Sequence, residues 1–182
     1  MDAIAIVRER ARRVTALLDE AGVPYAVIGG NAVAAWVASI DPGAQRATQD
    51  VDLLLRREDI DLARSVLEPA GFLYAQTMDG PMFLDGPDAS PRDAVHIIYA
   101  GEKVRQNDLA PTAEVTESKR IADFQVVSLE ALVRMKLTSY RRKDQVHIED
   151  MINVGLIDAS WVNRFPPELA ARLQHILDTP DG

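Results

Sequence analysis

The stretch YAVI at residues 25–28 is apolar throughout, with no alternation that would leave one face wet. A run this short is a strand rather than a helix, and a continuous apolar strand belongs in a sheet covered on both faces. It ends in Gly29-Gly30 and continues as NAVAAWVASI, a helix-like segment closed by the turn residues Asp41-Pro42-Gly43. DVDLLL, residues 50–55, then reads as a second strand. Strand, glycine turn, helix and strand in this order commit the chain to helices packed on a sheet.

The flanking segments extend that pattern. Val7, Ala11, Val14, Leu18 and Ala21 mark one face of an amphipathic helix over residues 2–21, with Gly22 as its stop. REDIDLARSVLEPAG is a helix ended by Gly71, followed by strands in FLYAQ, PMFLD and AVHIIYA. Residues 101–123 are polar and aperiodic and receive no element, whereas DFQVV is a short final strand. Ser128 then caps LEALVRMKLTSY, Asp144 caps a helix running through Ile152, and PPELAARLQHILD is a last helix with proline at its start. The expected class is α/β or α+β, a mixed sheet flanked by helices, with residues 1–127 as the core and 128–182 as a C-terminal helical segment.

Composition narrows the chemistry. The 182 residues include no cysteine, which excludes disulfides, thiolate metal sites and cysteine nucleophiles. The three histidines are scattered, so any metal is a hard cation held by carboxylates, magnesium or manganese. A net charge of −8 argues against extended nucleic-acid binding, although RRK at 141–143 leaves room for one phosphate-sized site. With no membrane-length apolar run and no secretory leader pattern, the expected location is the cytoplasm.

Glycines between a strand and a helix let backbone N–H groups approach a ligand, and the helix N-terminus favours a phosphate. The same pair also serves as an ordinary tight turn. Within a strand, Asp50 and Asp52 project to one face, where two carboxylates tolerate each other best around a cation. Alternatively, Asp50 belongs to the preceding turn and Asp52 merely faces solvent.

Taken together, YAVIGGNAVAAW and RATQDVDLLL resemble the signature of the DNA polymerase β superfamily of nucleotidyltransferases, in its small prokaryotic branch of abortive-infection and toxin–antitoxin proteins. SLEALVRMKLTSYRRKDQVHIEDM is similar to the helical segment that follows the core in that branch, so the likeness spans residues 20–155. It implies a magnesium- or manganese-dependent transfer of a nucleoside monophosphate from a nucleoside triphosphate to a hydroxyl on a protein, a small molecule or an RNA. By the same resemblance, Asp50 and Asp52 would coordinate the metal. Gly29, Gly30 and Asn31 would contact phosphates, Arg46 and Thr48 would support the acids or phosphates, and Lys136, with Arg142 or Lys143 beside it, would meet the triphosphate. Ordinary solvated helix surface is the other reading of Lys136.

Two departures accompany the likeness. Nineteen residues separate Gly30 from Asp50, with the excess in SIDPGAQ. The family's third carboxylate comes from a later strand, where AVHIIYA offers His96; Asp93 alternates to the opposite face, and Glu102 lies beyond Gly101. His96 is therefore either a base for the acceptor hydroxyl or a strand residue in a site that has lost its chemistry. The second case is an interaction module with a protein partner, as in a toxin–antitoxin-like pair. Asp144, His147 and Asp150 recur on one helix face and are expected to form an ion-paired surface.

Overall fold

The computed structural model describes residues 3–180. Helix α1 (Ala3–Ala21) precedes strand β1 (Tyr25–Ile28), helix α2 (Gly29–Ala38) and strand β2 (Val51–Leu55). A single 3₁₀ turn, Arg57–Asp59, leads into α3 (Ile60–Leu67). The hairpin β3 (Leu73–Thr77) and β4 (Gly80–Leu84) comes next, then β5 (Ala94–Tyr99), and a second hairpin follows, β6 (Ser118–Ile121) and β7 (Phe124–Val127). Helices α4 (Leu129–Ser139), α5 (Arg142–Asn153) and α6 (Pro167–Asp178) complete the chain.

The strands form one mixed sheet in the order β3-β4-β5-β2-β1-β7-β6. Strand β1 runs antiparallel to β2 and parallel to β7, while β2 runs parallel to β5. All four residues of β1 are buried, as are Val51 and Leu53–Leu55 of β2, as expected of central strands that read as continuous apolar runs. Helix α1 buries Val7, Ala11, Val14 and Leu18, and α2 buries Ala32, Val33 and Val37. Leu132 and Leu137 of α4, Ile148 of α5 and Leu173 of α6 join the same apolar cluster as the strands. Trp36 also ties α2 to β7 by donating its indole N–H to the Val127 carbonyl at 2.9 Å.

Several elements depart from the sequence reading. Strand β6 lies inside the stretch that received no element, because SKRI is a short polar edge strand defined by its pairing with β7. Asp50 precedes β2 rather than opening it. Asp144 is the third residue of α5, not its cap, and its carboxylate accepts the Arg141 backbone N–H at 3.1 Å. Helix α4 stops at Tyr140, which adopts φ +48 and swings the chain round so that the start of α5 folds back beneath α4.

Candidate functional site

Opposed strand directions gather three strand ends at one place. Ile28 at the end of β1 pairs with Asp52 near the start of β2, and Asp52 pairs in turn with His96 near the start of β5. Side chains directly opposite in register share a face, so Asp52 and His96 are neighbours. Gly29 follows with φ +64. A Cβ there would run into Asp52 Oδ2 and lie 3.1 Å from Asp52 Cγ, so only glycine lets the Asp52 carboxylate rest over the turn that opens α2. The approach to β2 is pinned from the same helix. Asn31 Nδ2 donates to the Asp50 carbonyl at 2.6 Å, and Thr48 Oγ1 donates to it at 3.3 Å.

Among the described residues, neither the Asp50 nor the Asp52 carboxylate has a hydrogen-bond donor or an ion-pair partner. Burial pushes the Asp52 carboxyl above its ordinary pKa, His96 offsets part of this, and the charge of Asp50 adds to it. Such a pair suits a hard divalent cation that takes its remaining ligands from phosphate oxygens and water. No group of three acidic or histidine donors converges to cage a metal among the described residues, so two carboxylates are what the chain offers.

The acids and Gly29 form one side of a cleft of about 220 Å³, faced by Lys136, Ser139, Arg141, Lys143 and Asp144 from the α4–α5 turn. Asp144, fully buried, organises this facing side. It accepts from Lys136 Nζ at 2.9 Å, Arg141 Nε at 2.8 Å and Ser139 Oγ at 2.8 Å. Burial alone would raise the Asp144 carboxyl, but hydrogen bonds from Arg141 and the Lys136 charge hold it well below the usual carboxylate range. Burial lowers the Lys136 ammonium, and Asp144 opposes that shift. Lys143 and Lys136 both act on Asp52 across the cleft, in the direction that favours its charged form. The arrangement is therefore two unpaired acids facing a cationic side, with a glycine turn between them.

The cleft thus unites Gly29, Asp50, Asp52 and Lys136, with His96 next to Asp52. Gly30, Arg46 and Thr48 line a separate small pocket with His147 and Asp150. There Arg46 Nε donates to Asp150 Oδ2 at 2.7 Å, and Thr48 Oγ1 would lie 2.9 Å from a Cβ on Gly30. The side chains of Asn31 and Thr48 are engaged by the Asp50 carbonyl, so both act on the backbone that presents the acids. Arg142 is exposed at the start of α5 and does not line the cleft. Asp93 pairs with Arg10 at 3.5 Å and Glu102 with Arg57 at 2.9 Å, so neither stands in for the third carboxylate.

Lys136 is buried rather than solvated. The face carrying Asp144, His147 and Asp150 is ion-paired as expected at Asp144, with Lys136 and Arg141, and at Asp150, with Arg46, but Asp144 is fully buried rather than at the surface. Burial, with the Lys136 charge adding to it, pushes the His147 imidazole down to about 4, and its Nδ1 is buried without a partner. Sequence reasoning did not single out Arg105 and Asp108, which reach the cleft from the loop after β5. That loop has no periodicity to flag it, and only the path of the chain brings it to the acids.

This is a nucleotidyltransferase-like fold. In particular, it is similar to the antibiotic-resistance factor ANT(2'')-Ia solved in complex with adenylyl-2''-tobramycin, at 17% identity and TM-score 0.51, over 91% of this chain and 93% of that one. It is also similar to the JHP933 protein from Helicobacter pylori, at 17% identity and TM-score 0.55, over 100% and 77% of the two chains. An antigenic nucleotidyltransferase-like protein from Paracoccidioides brasiliensis matches at 21% identity and TM-score 0.51, over 97% and 86%. No protein-family model and no curated protein matches the sequence.

Proposed function

We propose that the protein is a nucleotidyltransferase that moves a nucleoside monophosphate from a nucleoside triphosphate onto a hydroxyl, with magnesium or manganese as the required cation. One observation carries the reading: among the described residues the Asp50 and Asp52 carboxylates lack protein partners, Asp52 sits against Gly29, and both acids face the Lys136–Arg141–Lys143 side of the same cleft. Asp50 and Asp52 would hold the cation, which would supply charge neutralisation for the nucleotide phosphates. Gly29 leaves space for the Asp52 carboxylate over the turn that opens α2, and Lys143 and Arg141 attract the departing charge. The acceptor oxygen attacks the α-phosphorus, the bond to the bridging oxygen breaks, and pyrophosphate leaves. His96, beside Asp52, receives the acceptor proton.

The acceptor is a protein, a small molecule or a structured RNA end. The fold neighbour solved with adenylyl-2''-tobramycin is a precedent for the small-molecule case. A second reading rests on His96 standing next to Asp52 where the family pattern has an acid. In that reading the protein no longer catalyses and acts as a binding or interaction module with a protein partner, as in a toxin–antitoxin-like pair. Purified protein with magnesium or manganese and each of four α-labelled triphosphates separates the readings. Pyrophosphate release that disappears in Asp50→Ala/Asp52→Ala supports the transferase. Metal-dependent binding without release, together with a co-purifying protein, supports the module, and no binding at all removes the enzyme.

A further inference from the structure

The loop after β5 gives the cleft a chemistry that phosphate binding does not need. Asp108 lines it, yet a carboxylate there repels a triphosphate. Its Oδ2 accepts the Arg105 backbone N–H at 2.8 Å, which fixes the carboxylate at the loop. Among the described residues its Oδ1 has no partner, and the Arg105 guanidinium, which also lines the cleft, has no ion pair. The same cleft has apolar lining from Ile98, Val104, Pro111, Leu132 and Met135, contributed by the sheet, the loop and α4. Apolar lining in a cleft that also carries, among the described residues, an unpartnered carboxylate oxygen at Asp108 and an unpaired guanidinium at Arg105 suits a flat, polar-edged ring.

The donor pattern selects the ring. A carboxylate only accepts, and it binds best to two adjacent, parallel N–H groups. Guanine presents that pair at N1 and N2. Adenine and cytosine each offer one amino group next to a repelling ring nitrogen acceptor, and uracil offers one N–H between two carbonyls. A guanidinium in turn suits the O6 and N7 acceptors of guanine.

We propose that the cleft selects a guanine nucleotide, with Asp108 reading N1–H and N2–H and Arg105 the O6/N7 edge. This rests on the reading that the cleft binds a nucleoside triphosphate. The test is calorimetric titration of the full chain, in magnesium, with GTP, ATP, CTP, UTP and xanthosine triphosphate, alongside Asp108→Asn and Asp50→Ala/Asp52→Ala. The expected result is GTP binding at least tenfold tighter than the other three natural triphosphates. In Asp108→Asn that preference disappears and xanthosine triphosphate gains at least tenfold, because an asparagine amide can donate to the C2 carbonyl that replaces the guanine amino group. A role confined to loop structure would weaken every nucleotide alike and would not move the preference to xanthine. Equal binding of all bases that still needs Asp50 and Asp52 overturns the proposal, leaves the nucleotidyltransferase reading intact, and points to Asp108 on the ribose hydroxyls. Binding of no triphosphate overturns both.

Discussion

Replacing Asp144 with alanine should cost more stability than any other single charge change in the molecule. Its carboxylate is fully buried and is the ion-pair partner of Lys136 Nζ, whose side chain is only 7% exposed. Without Asp144 the ammonium is stranded, and breaking a buried pair on one side costs about 3–5 kcal/mol. An independent ceiling comes from letting the lysine lose its proton, which from a free pKa near 10.4 costs about 4.6 kcal/mol at pH 7. The two limits agree, and for a chain of this length they mean a melting temperature lower by about 6–20 °C.

Urea unfolding followed by circular dichroism at pH 7 and pH 9.5 is the assay. A stranded Lys136 binds its proton more weakly in the folded state than in the unfolded chain. The unfolded state therefore holds more protons, and stability rises with pH. The variant should regain much of its loss at pH 9.5. Lys136→Met should lose less, because Asp144 keeps Arg141 and Ser139. A loss for Asp144→Ala below about 1 kcal/mol, or one that does not shrink at high pH, would refute the buried-pair account.

Four further outcomes are expected. Gly29→Ala should lose about 2–4 kcal/mol, from the left-handed backbone and from displacing Asp52, and should abolish metal-dependent nucleotide binding; unchanged binding would show that Asp52 does not rest on this turn as described. Asp52→Asn, measured without metal, should melt at or above the wild-type temperature while losing nucleotide binding, since burial and Asp50 disfavour the Asp52 charge at pH 7; marked destabilisation would contradict an unpaired carboxylate. His147 is held neutral with its pKa pushed down to about 4, below the unfolded value of about 6.5, so its contribution is complete above pH 6.5 and is lost as pH falls toward 4. Partial exposure limits that loss to about 1–2 kcal/mol, and His147→Gln should flatten this part of the stability–pH profile measured by thermal melting. Asn31→Ala should leave the fold intact but weaken nucleotide binding several-fold through a looser Asp50; full-strength binding in a titration would remove its positioning role.

Much of the fold was legible because its signals are local. Continuous apolar runs, a glycine pair and turn residues identify β1, α2 and β2 within a window of about thirty residues. The three following strands and helices α4 and α6 are legible on the same grounds, within a residue or two at their ends, whereas α5 starts three residues before the position an Asp144 cap implies. Strand β6 escaped because an edge strand of polar residues is defined by its partner, not by its own pattern. Asp144 looked like a cap because acids favour helix starts, and nothing in the local sequence distinguishes a third-position acid from a capping one.

The sequence by itself marked Gly29, Asp50 and Asp52 as residues at the ends of two apolar strand-like runs, and the antiparallel pairing of β1 with β2 then brought them together. Tertiary structure alone decided what faces them. Lys136 and Asp144 pair across the left-handed turn at Tyr140, Arg105 and Asp108 enter from a loop without periodicity, and His96 meets Asp52 only because β5 runs parallel to β2 in this register. These contacts depend on how the chain crosses over the sheet and where its helices fold back. Spacing along the sequence does not encode either.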